Sequence, residues 1–217
     1  MFDPQQYRII DLTASYVQGV PGYAAEPART IERDGWNALT LQLYSHAGTH
    51  MDAPPHFGVS DKGIDQYPVK QFIGPAWVVD IQIKEKQQLL SITDLGTIPD
   101  RFKEGESLLL RTGWSEFMGT DRHRNALPRI SSALADWCVQ KKVRMLGVEP
   151  PSVADVNNLP EVTAIHRILL QGDVLIIEGL MGLQQITKEY VMLLALPLKI
   201  AGGDGAPARV IVMEDKE

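Results

Sequence analysis

The 217-residue chain has a single cysteine, Cys138, which excludes an internal disulfide and a thiolate cage for a metal. Basic residues are scarce: 21 Lys and Arg stand against 27 Asp and Glu, the net charge is −6, and no basic stripe of the kind that neutralises phosphates runs along the sequence. Nucleic acid is therefore not an expected partner. Long hydrophobic runs are missing as well. The longest, Tyr190 to Leu198, falls far short of the roughly 20 residues that cross a bilayer. The opening MFDPQQYR has neither the basic nor the apolar region of a signal peptide, so the expectation is a cytoplasmic protein without membrane contact. Internal repeats, low-complexity tracts and a clear interdomain linker are absent too. What is present is a hydrophobic fraction of 44%, enough for one domain over residues 1–217 with a proper core.

Short runs of β-branched and aliphatic residues predict strands at Tyr7 to Leu12, Ala38 to Tyr44, Trp77 to Ile83, Leu108 to Arg111, Met145 to Val148, Val174 to Ile177 and Arg209 to Met213. In Leu39 to Tyr44 the three leucines alternate with Thr40, Gln42 and Tyr44, the period of a half-buried strand. Ser131 or Ser132 caps a helix running to about Lys141, with Leu134, Trp137, Cys138 and Lys141 on one side; Cys138 reads as a core residue. A second helix starts at Pro160 and ends at Gly172, and it carries His166. An excess of strand over helix predicts an α/β fold built on a mixed sheet.

Three of the five histidines fall with Asp52 in HAGTHMDAPPH, residues 46–56. Packing gives no reason for such clustering. His46 and His50 have the spacing that lines two imidazoles along a helix, but Gly48, Pro54 and Pro55 oppose a helix, which places both on a loop after a strand. Imidazole nitrogen with carboxylate oxygen is the donor set of Zn2+ or Mn2+, so His46, His50 and Asp52 are candidate metal ligands. A further ligand is needed. Glu178 closes the apolar run VLIIEGL, where a buried carboxylate is costly unless it is paired or binds a cation. His166, on the preceding helix, can reach it if the helix packs back on that strand. The Gly-rich AGGDGAPAR at 201–209 lacks the GK[ST] ending of a phosphate cradle and reads as a turn between strands.

The segment resembles the metal-dependent cyclase-like hydrolases, a family that includes bacterial kynurenine formamidase and isatin hydrolase. Its hallmark, His-x-Gly-Thr-His-x-Asp-x-Pro-x-His, is met at every fixed position of residues 46–56. The likeness extends through DLT at 11–13, GVPGYAAEP at 19–27, LLLRTGW at 108–114, GVEPPSVAD at 147–155, the pair His166 and Glu178, and LPLKIAGGDGAPAR at 196–209. The chain departs from the family pattern in three places: Ala24, Ala25 and Glu26 replace a usual Pro-Gly-Asp after Tyr23, Glu149 stands where Asp is commoner, and Gly179 where Asn is frequent. The resemblance implies a swivelling β/β/α architecture and a homo-oligomer, dimer or tetramer. It implies one metal on His46, His50 and Asp52, and a second on Asp52 and His166, with Glu178 completing or bridging the two. Zn2+ is the expected metal and Mn2+ the alternative. It makes His56 the general acid/base and Tyr23 the substrate-facing aromatic; Trp114 is a second aromatic candidate.

A divalent metal lowers the pKa of its bound water from about 16 to about 7, giving a nucleophile at neutral pH. His56 would take the proton and return it to the departing amine. The leading expectation is a small-molecule amide hydrolase acting on N-formyl-L-kynurenine in tryptophan degradation. Isatin-like lactams, other amides and esters are the runner-up, and a catalytically silent metal- or ligand-binding protein or a purely structural oligomer are the alternatives of a different class.

Overall fold

The computed structural model describes residues 3–216; Met1, Phe2 and Glu217, at the ends of the expected unit, lie outside the described residues. The described strands are β1 (Tyr7–Asp11), β2 (Tyr23–Arg29), β3 (Ala38–Leu43), β4 (His50–Asp52), β5 (Ile73–Asp80) and β6 (Leu89–Leu90), followed by β7 (Ser107–Arg111), β8 (Arg129–Ile130), β9 (Met145–Val148), β10 (Leu175–Glu178), β11 (Tyr190–Pro197) and β12 (Gly205–Asp215). The α-helices are α1 (Ile31–Asp34), α2 (Ile98–Arg101), α3 (Asp121–Asn125), α4 (Ser132–Gln140) and α5 (Leu159–Gln171).

The main sheet runs β1-β12-β11-β5-β7-β9-β10-β4, and β4 also pairs with β12, so the sheet closes on itself as a barrel-like ring. The neighbours β5-β7-β9-β10 are parallel, and β10-β4, β4-β12, β12-β11 and β11-β5 are antiparallel. This is the mixed α/β sheet that the sequence predicts. The central strands are buried on both faces, which is why they read as unbroken apolar runs. Leu108 and Leu110 pack outward with Leu134, Trp137 and Cys138 of α4 and Ile165 and Leu169 of α5. Leu109, between them, points the other way, into the ring with Met51, Met145, Leu175, Ile177 and Val210. Both long helices start where expected: the Ser131 hydroxyl accepts the Leu134 N–H, the Asn158 side chain accepts the Glu161 N–H, and α5 stops at Gly172.

One expectation needs correction. β3 is a strand, but its leucine face is not half-buried: Leu39 is 62% and Leu41 56% exposed. The reason is that β3 pairs with β2 in a two-stranded sheet of its own, and no second layer among the described residues covers it.

The ring is fastened where β5, β7 and β11 meet. Glu106 is buried and accepts the Trp77 indole N–H at 2.6 Å, the Tyr190 hydroxyl at 2.7 Å and the Lys103 N–H at 2.8 Å. Burial raises its pKa, but these donors outweigh burial and hold the carboxyl below its usual 4.5. A lowered folded pKa contributes stability that is present above the unfolded value and lost as pH falls through the folded one. Glu106→Gln is therefore expected to cost about 1–3 kcal/mol at pH 7, with the gap from wild type narrowing as pH falls below 4.5 in urea unfolding curves; a pH-independent gap would contradict this reading.

Candidate metal centre

The strand β4 is three residues long, and its period of two does the essential placing. His50 and Asp52 share one face, and Met51 enters the ring interior. The loop expected for His46 and His50 is thus corrected for His50, which lies on a strand. Gly48, at φ +58, and the 3-10 turn Pro54–Phe57 do break the chain, but on either side of β4; between them the backbone is extended because it is paired twice. His50 stands opposite Glu178 of β10 and Pro207 of β12, and Asp52 opposite Ile176 and Gly205. His46 lies on the turn between β3 and β4, His56 on the 3-10 turn after it, and His166 on the buried face of α5.

These side chains converge. His50 Nε2 is 3.3 Å from Glu178 Oε2 and 3.6 Å from Asp52 Oδ1. His166 Nε2 is 3.4 Å from Glu178 Oε1 and 3.5 Å from Asp52 Oδ2. His46 Nδ1 is 2.8 Å from Asp52 Oδ1. His50 and His166 each turn one nitrogen toward both carboxylates and His46 turns one toward Asp52, and each ring has the other nitrogen fastened elsewhere. His50 Nδ1 meets the Gly48 carbonyl at 3.0 Å, His166 Nδ1 the Val162 carbonyl at 2.7 Å, and His46 Nε2 the Asp204 carboxylate at 3.1 Å. Glu178 Oε1 also accepts the Val153 N–H at 2.8 Å.

The electrostatics follow from two carboxylates buried among imidazoles. Burial pulls His166 down, but the adjacent carboxylates of Asp52 and Glu178 outweigh it and push the ring up to about 10. For His46 burial is again outweighed, here by Asp52 and Asp204, and the pKa rises to about 9. His50 is raised in the same sense against its own burial, by Glu178 and Asp52. Asp52 sits well below the usual carboxylate range: burial raises it, and the surrounding imidazoles of His166, His46 and His50 more than reverse that. The cluster thus stabilises positive charge at its centre, supplied by protons or by a cation that displaces them.

The residues fit a divalent cation. Asp52 is 0% exposed, and its Oδ2 has no hydrogen-bond partner, a costly arrangement for a buried carboxylate oxygen. Imidazole nitrogen and carboxylate oxygen within mutual reach are the donors that Zn2+ and Mn2+ take. Two groupings meet that description: His50, Asp52 and Glu178, all buried, and His46, Asp52 and His56, nearer the surface.

His56 is brought to the same place. Its ring stacks on His46 at 3.7 Å between centroids and meets Phe57 edge-on at 4.5 Å, while 24% of its side chain remains exposed. Burial and the neighbouring His46 and His166 lower its pKa, so it is neutral at pH 7 and able to accept a proton. Tyr23 is placed differently. It opens β2 and packs on Tyr16 at 5.2 Å, and the Tyr16 hydroxyl in turn donates to the Ala47 carbonyl, so Tyr23 touches the motif through an intermediary. The aromatic rings directly beside the imidazoles are Tyr44, 5.5 Å from His46, and Phe57, stacked 4.3 Å from His166. Trp114 is buried in a small cluster with Ala126 and Leu127, and its indole donates to the His123 carbonyl, which makes it a core residue.

The departures Glu149 and Gly179 gain structural explanations. Glu149 is fully buried and accepts from the Thr112 N–H and hydroxyl, the Trp114 N–H and the Ser115 hydroxyl, fastening the turn after β7. Gly179 has φ +68, and a Cβ there would overlap the Gly48 carbonyl, so the close approach of the β10 exit to the motif turn needs glycine. Thr49 locks that approach. Its hydroxyl donates to the Gly179 carbonyl at 2.6 Å and accepts the Ala14 N–H at 2.8 Å, all buried. Thr49→Val, nearly isosteric, leaves both groups unpaired and is expected to lower stability by about 1–3 kcal/mol in denaturant unfolding. An unchanged midpoint would show that the turn does not depend on it.

Asp204, missed in the sequence, belongs to the cluster. Its Oδ2 faces His46 Nε2 and lies 3.8 Å from His56 Nδ1. Set among glycines in AGGDG it reads only as a turn residue, although the turn does end there, at the start of β12.

The chain is similar to known proteins over most of its length. A kynurenine formamidase of Bacillus cereus is 30% identical over 179 residues, 81% of this chain and 79% of that protein. The structure of isatin hydrolase A from Labrenzia aggregata, bound to benzyl benzoate, superposes with a TM-score of 0.88 at 24% identity, covering 98% of this chain and 95% of the other. A structure described as a potential metal-dependent hydrolase with cyclase activity superposes at 0.78, also with 24% identity, covering 97% and 99%. The profile of the Cyclase family matches residues 10–155, a stretch that includes the whole histidine motif. On that match and on the 30% identity across four fifths of its length, the chain belongs to the Cyclase family.

Proposed function

We propose that the chain is an aryl formamidase that hydrolyses N-formyl-L-kynurenine to formate and the free aryl amine. At the coarser level it is a metal-dependent amide hydrolase of the cyclase family. The observation that carries the reading is the convergence of three imidazole nitrogens on the buried carboxylates of Asp52 and Glu178, with His56 beside them and open to solvent. In this proposal His46, His50 and Asp52 hold one cation, and Asp52 and His166 a second, with Glu178 completing or bridging the pair. Zn2+ is the proposed metal, with Mn2+ as the alternative. The cation supplies Lewis acidity: it acidifies water and polarises the carbonyl under attack.

The chain's own groups supply the rest. His56, neutral at pH 7 and partly exposed, takes a proton from the attacking water as the C–O bond forms. It returns that proton to the amine nitrogen as the C–N bond breaks, without which the amine is a poor leaving group. Phe57 supports the edge of the His56 ring and stacks on His166, so it fixes two imidazoles at once. Tyr23, at the root of the exposed hairpin, is proposed as the aromatic that faces the substrate. A homo-oligomer is part of the proposal, and the open leucine face of β3 favours it, since Leu39 and Leu41 gain cover only from another molecule.

The substrate is tested by hydrolysis of N-formyl-L-kynurenine and of isatin by metal-reconstituted protein, side by side. The proposal expects kcat/KM of about 10⁴ M⁻¹s⁻¹ or more on the formamide and a far lower value on the lactam. The reverse order would replace formamidase by lactam hydrolase, and no turnover of either by metal-loaded protein would reject both substrates.

A further inference from the structure

Three imidazoles face the buried carboxylates, and each has its remote nitrogen fastened, but not by the same kind of group. For His50 and His166 the fastener is a neutral backbone carbonyl. For His46 it is a carboxylate whose side chain is 44% exposed, and it comes from a turn 158 residues away in sequence. We infer that Asp204 is a positioning residue for the metal centre: it holds His46 by Nε2 and sets the ring so that Nδ1 is the nitrogen offered to the metal beside Asp52. This rests on the metal-hydrolase reading above and assigns a function to a residue outside the histidine motif.

The backbone that carries the carboxylate is itself fastened, which a positioning group needs. The Asp204 carbonyl accepts the Ala53 N–H at 2.9 Å, tying the turn to the residue after β4. One residue earlier, the Gly203 carbonyl accepts the Ile64 N–H at 2.9 Å, and the Gly202 N–H donates to Asp65 Oδ1 at 2.9 Å. The turn is thus fastened on both sides of the carboxylate. Gly205 lets it come this close, because a Cβ there would lie 2.8 Å from His46 Cε1 and overlap the Met51 carbonyl. The Asp204 backbone is therefore pressed against the ring that its side chain holds.

The chemistry follows from the two ring nitrogens. A neutral imidazole has one N–H and one lone pair. Both His46 nitrogens face carboxylates, Nδ1 Asp52 Oδ1 at 2.8 Å and Nε2 Asp204 Oδ2 at 3.1 Å; a cation that takes Nδ1 would displace its proton and leave the ring's one N–H on Nε2, donated to Asp204. An outer carboxylate also makes the ligating nitrogen more basic, and loss of such a partner typically weakens metal binding 10–100-fold. The same Oδ2 lies 3.8 Å from His56 Nδ1, and the His56 ring stacks on His46, so release of His46 also disturbs the seat of the proposed acid/base.

The test uses the full-length zinc-loaded protein and the isosteric Asp204→Asn, with Asp204→Ser as a second variant of smaller size. Zinc affinity is measured by competition with a chromophoric chelator, and the His46 tautomer by ¹⁵N NMR of histidine-labelled protein. The expected result is a 10–100-fold weaker affinity with unchanged stoichiometry at saturation, a wild-type His46 with its proton on Nε2, and a loss of that signature in the variants. At saturating zinc, kcat falls and KM stays within a few-fold of wild type. Unchanged affinity and tautomer in both variants would overturn the inference while leaving the metal reading intact. Loss of a whole equivalent of zinc at saturation would also overturn it, by making Asp204 a ligand. Wild-type protein that binds no zinc or manganese would instead bring down the metal reading, and this inference with it.

Discussion

Asp52→Asn is expected to abolish metal binding. Asp52 is fully buried, and both of its oxygens lie among the imidazoles: Oδ1 faces His46 and His50, and Oδ2 faces His166 without a hydrogen bond of its own. The amide keeps the shape but loses the charge, and it turns an N–H₂ toward at least one nitrogen that should face a cation. Breaking one partner of a buried charged cluster costs about 3–5 kcal/mol, which as metal affinity is a loss of about 10²–10⁴. At micromolar metal the variant is expected to be empty by elemental analysis and inactive. The same change loosens His46 and His166, whose elevated pKa values depend on Asp52. Circular dichroism is therefore recorded alongside, and Glu178→Gln serves as a second variant with the same expected loss. A folded Asp52→Asn protein with full metal content would remove Asp52 from the ligand set.

His56→Ala separates binding from chemistry. The His56 ring touches His46 and Phe57, and its Nδ1 is 3.8 Å from Asp204, but it does not take part in the all-buried grouping of His50, Asp52 and Glu178. The expected result is a metal content equal to wild type and a kcat lower by about 10²–10⁴, the usual contribution of a positioned general acid/base. KM changes little if the residue acts on the proton rather than on substrate binding. A near wild-type kcat would exclude His56 from the mechanism.

Much of this centre is legible in the residues themselves. HAGTHMDAPPH packs three imidazoles and a carboxylate into eleven positions, and all of them meet in space. Glu178 is legible from the cost of leaving a carboxylate at the end of VLIIEGL, and the structure buries it against His50 and His166. The strand β4 is not legible. Three residues give no periodicity, and the flanking Gly48 and Pro54 carry the signals of a loop; what makes β4 extended is pairing with β10 and β12, elements more than a hundred residues away. Asp204 is hidden for the same reason, as its partners are distant and its neighbours are glycines. In β3 the alternation of Leu39, Leu41 and Leu43 separates two faces correctly, but periodicity says nothing about what covers either of them. β2, with Pro27 and few β-branched residues, lacks a strand signal, and its pairing with β3 supplies the order that composition does not. The helix carrying His166 is the clearest element, because Pro160 and Gly172 mark its ends and its apolar residues keep one period throughout.

The central claim, that this fold holds a metal in order to hydrolyse an amide, is tested most directly by one titration. Protein stripped with a chelator and dialysed is reconstituted with increasing Zn2+, and in parallel with Mn2+. Bound metal by elemental analysis and the rate on N-formyl-L-kynurenine are measured on the same samples. The account predicts no turnover in the stripped protein and a rate that rises in proportion to bound metal until one or two equivalents per chain are reached. Full activity in protein verified to be metal-free, or failure to retain either metal after dialysis, would contradict it.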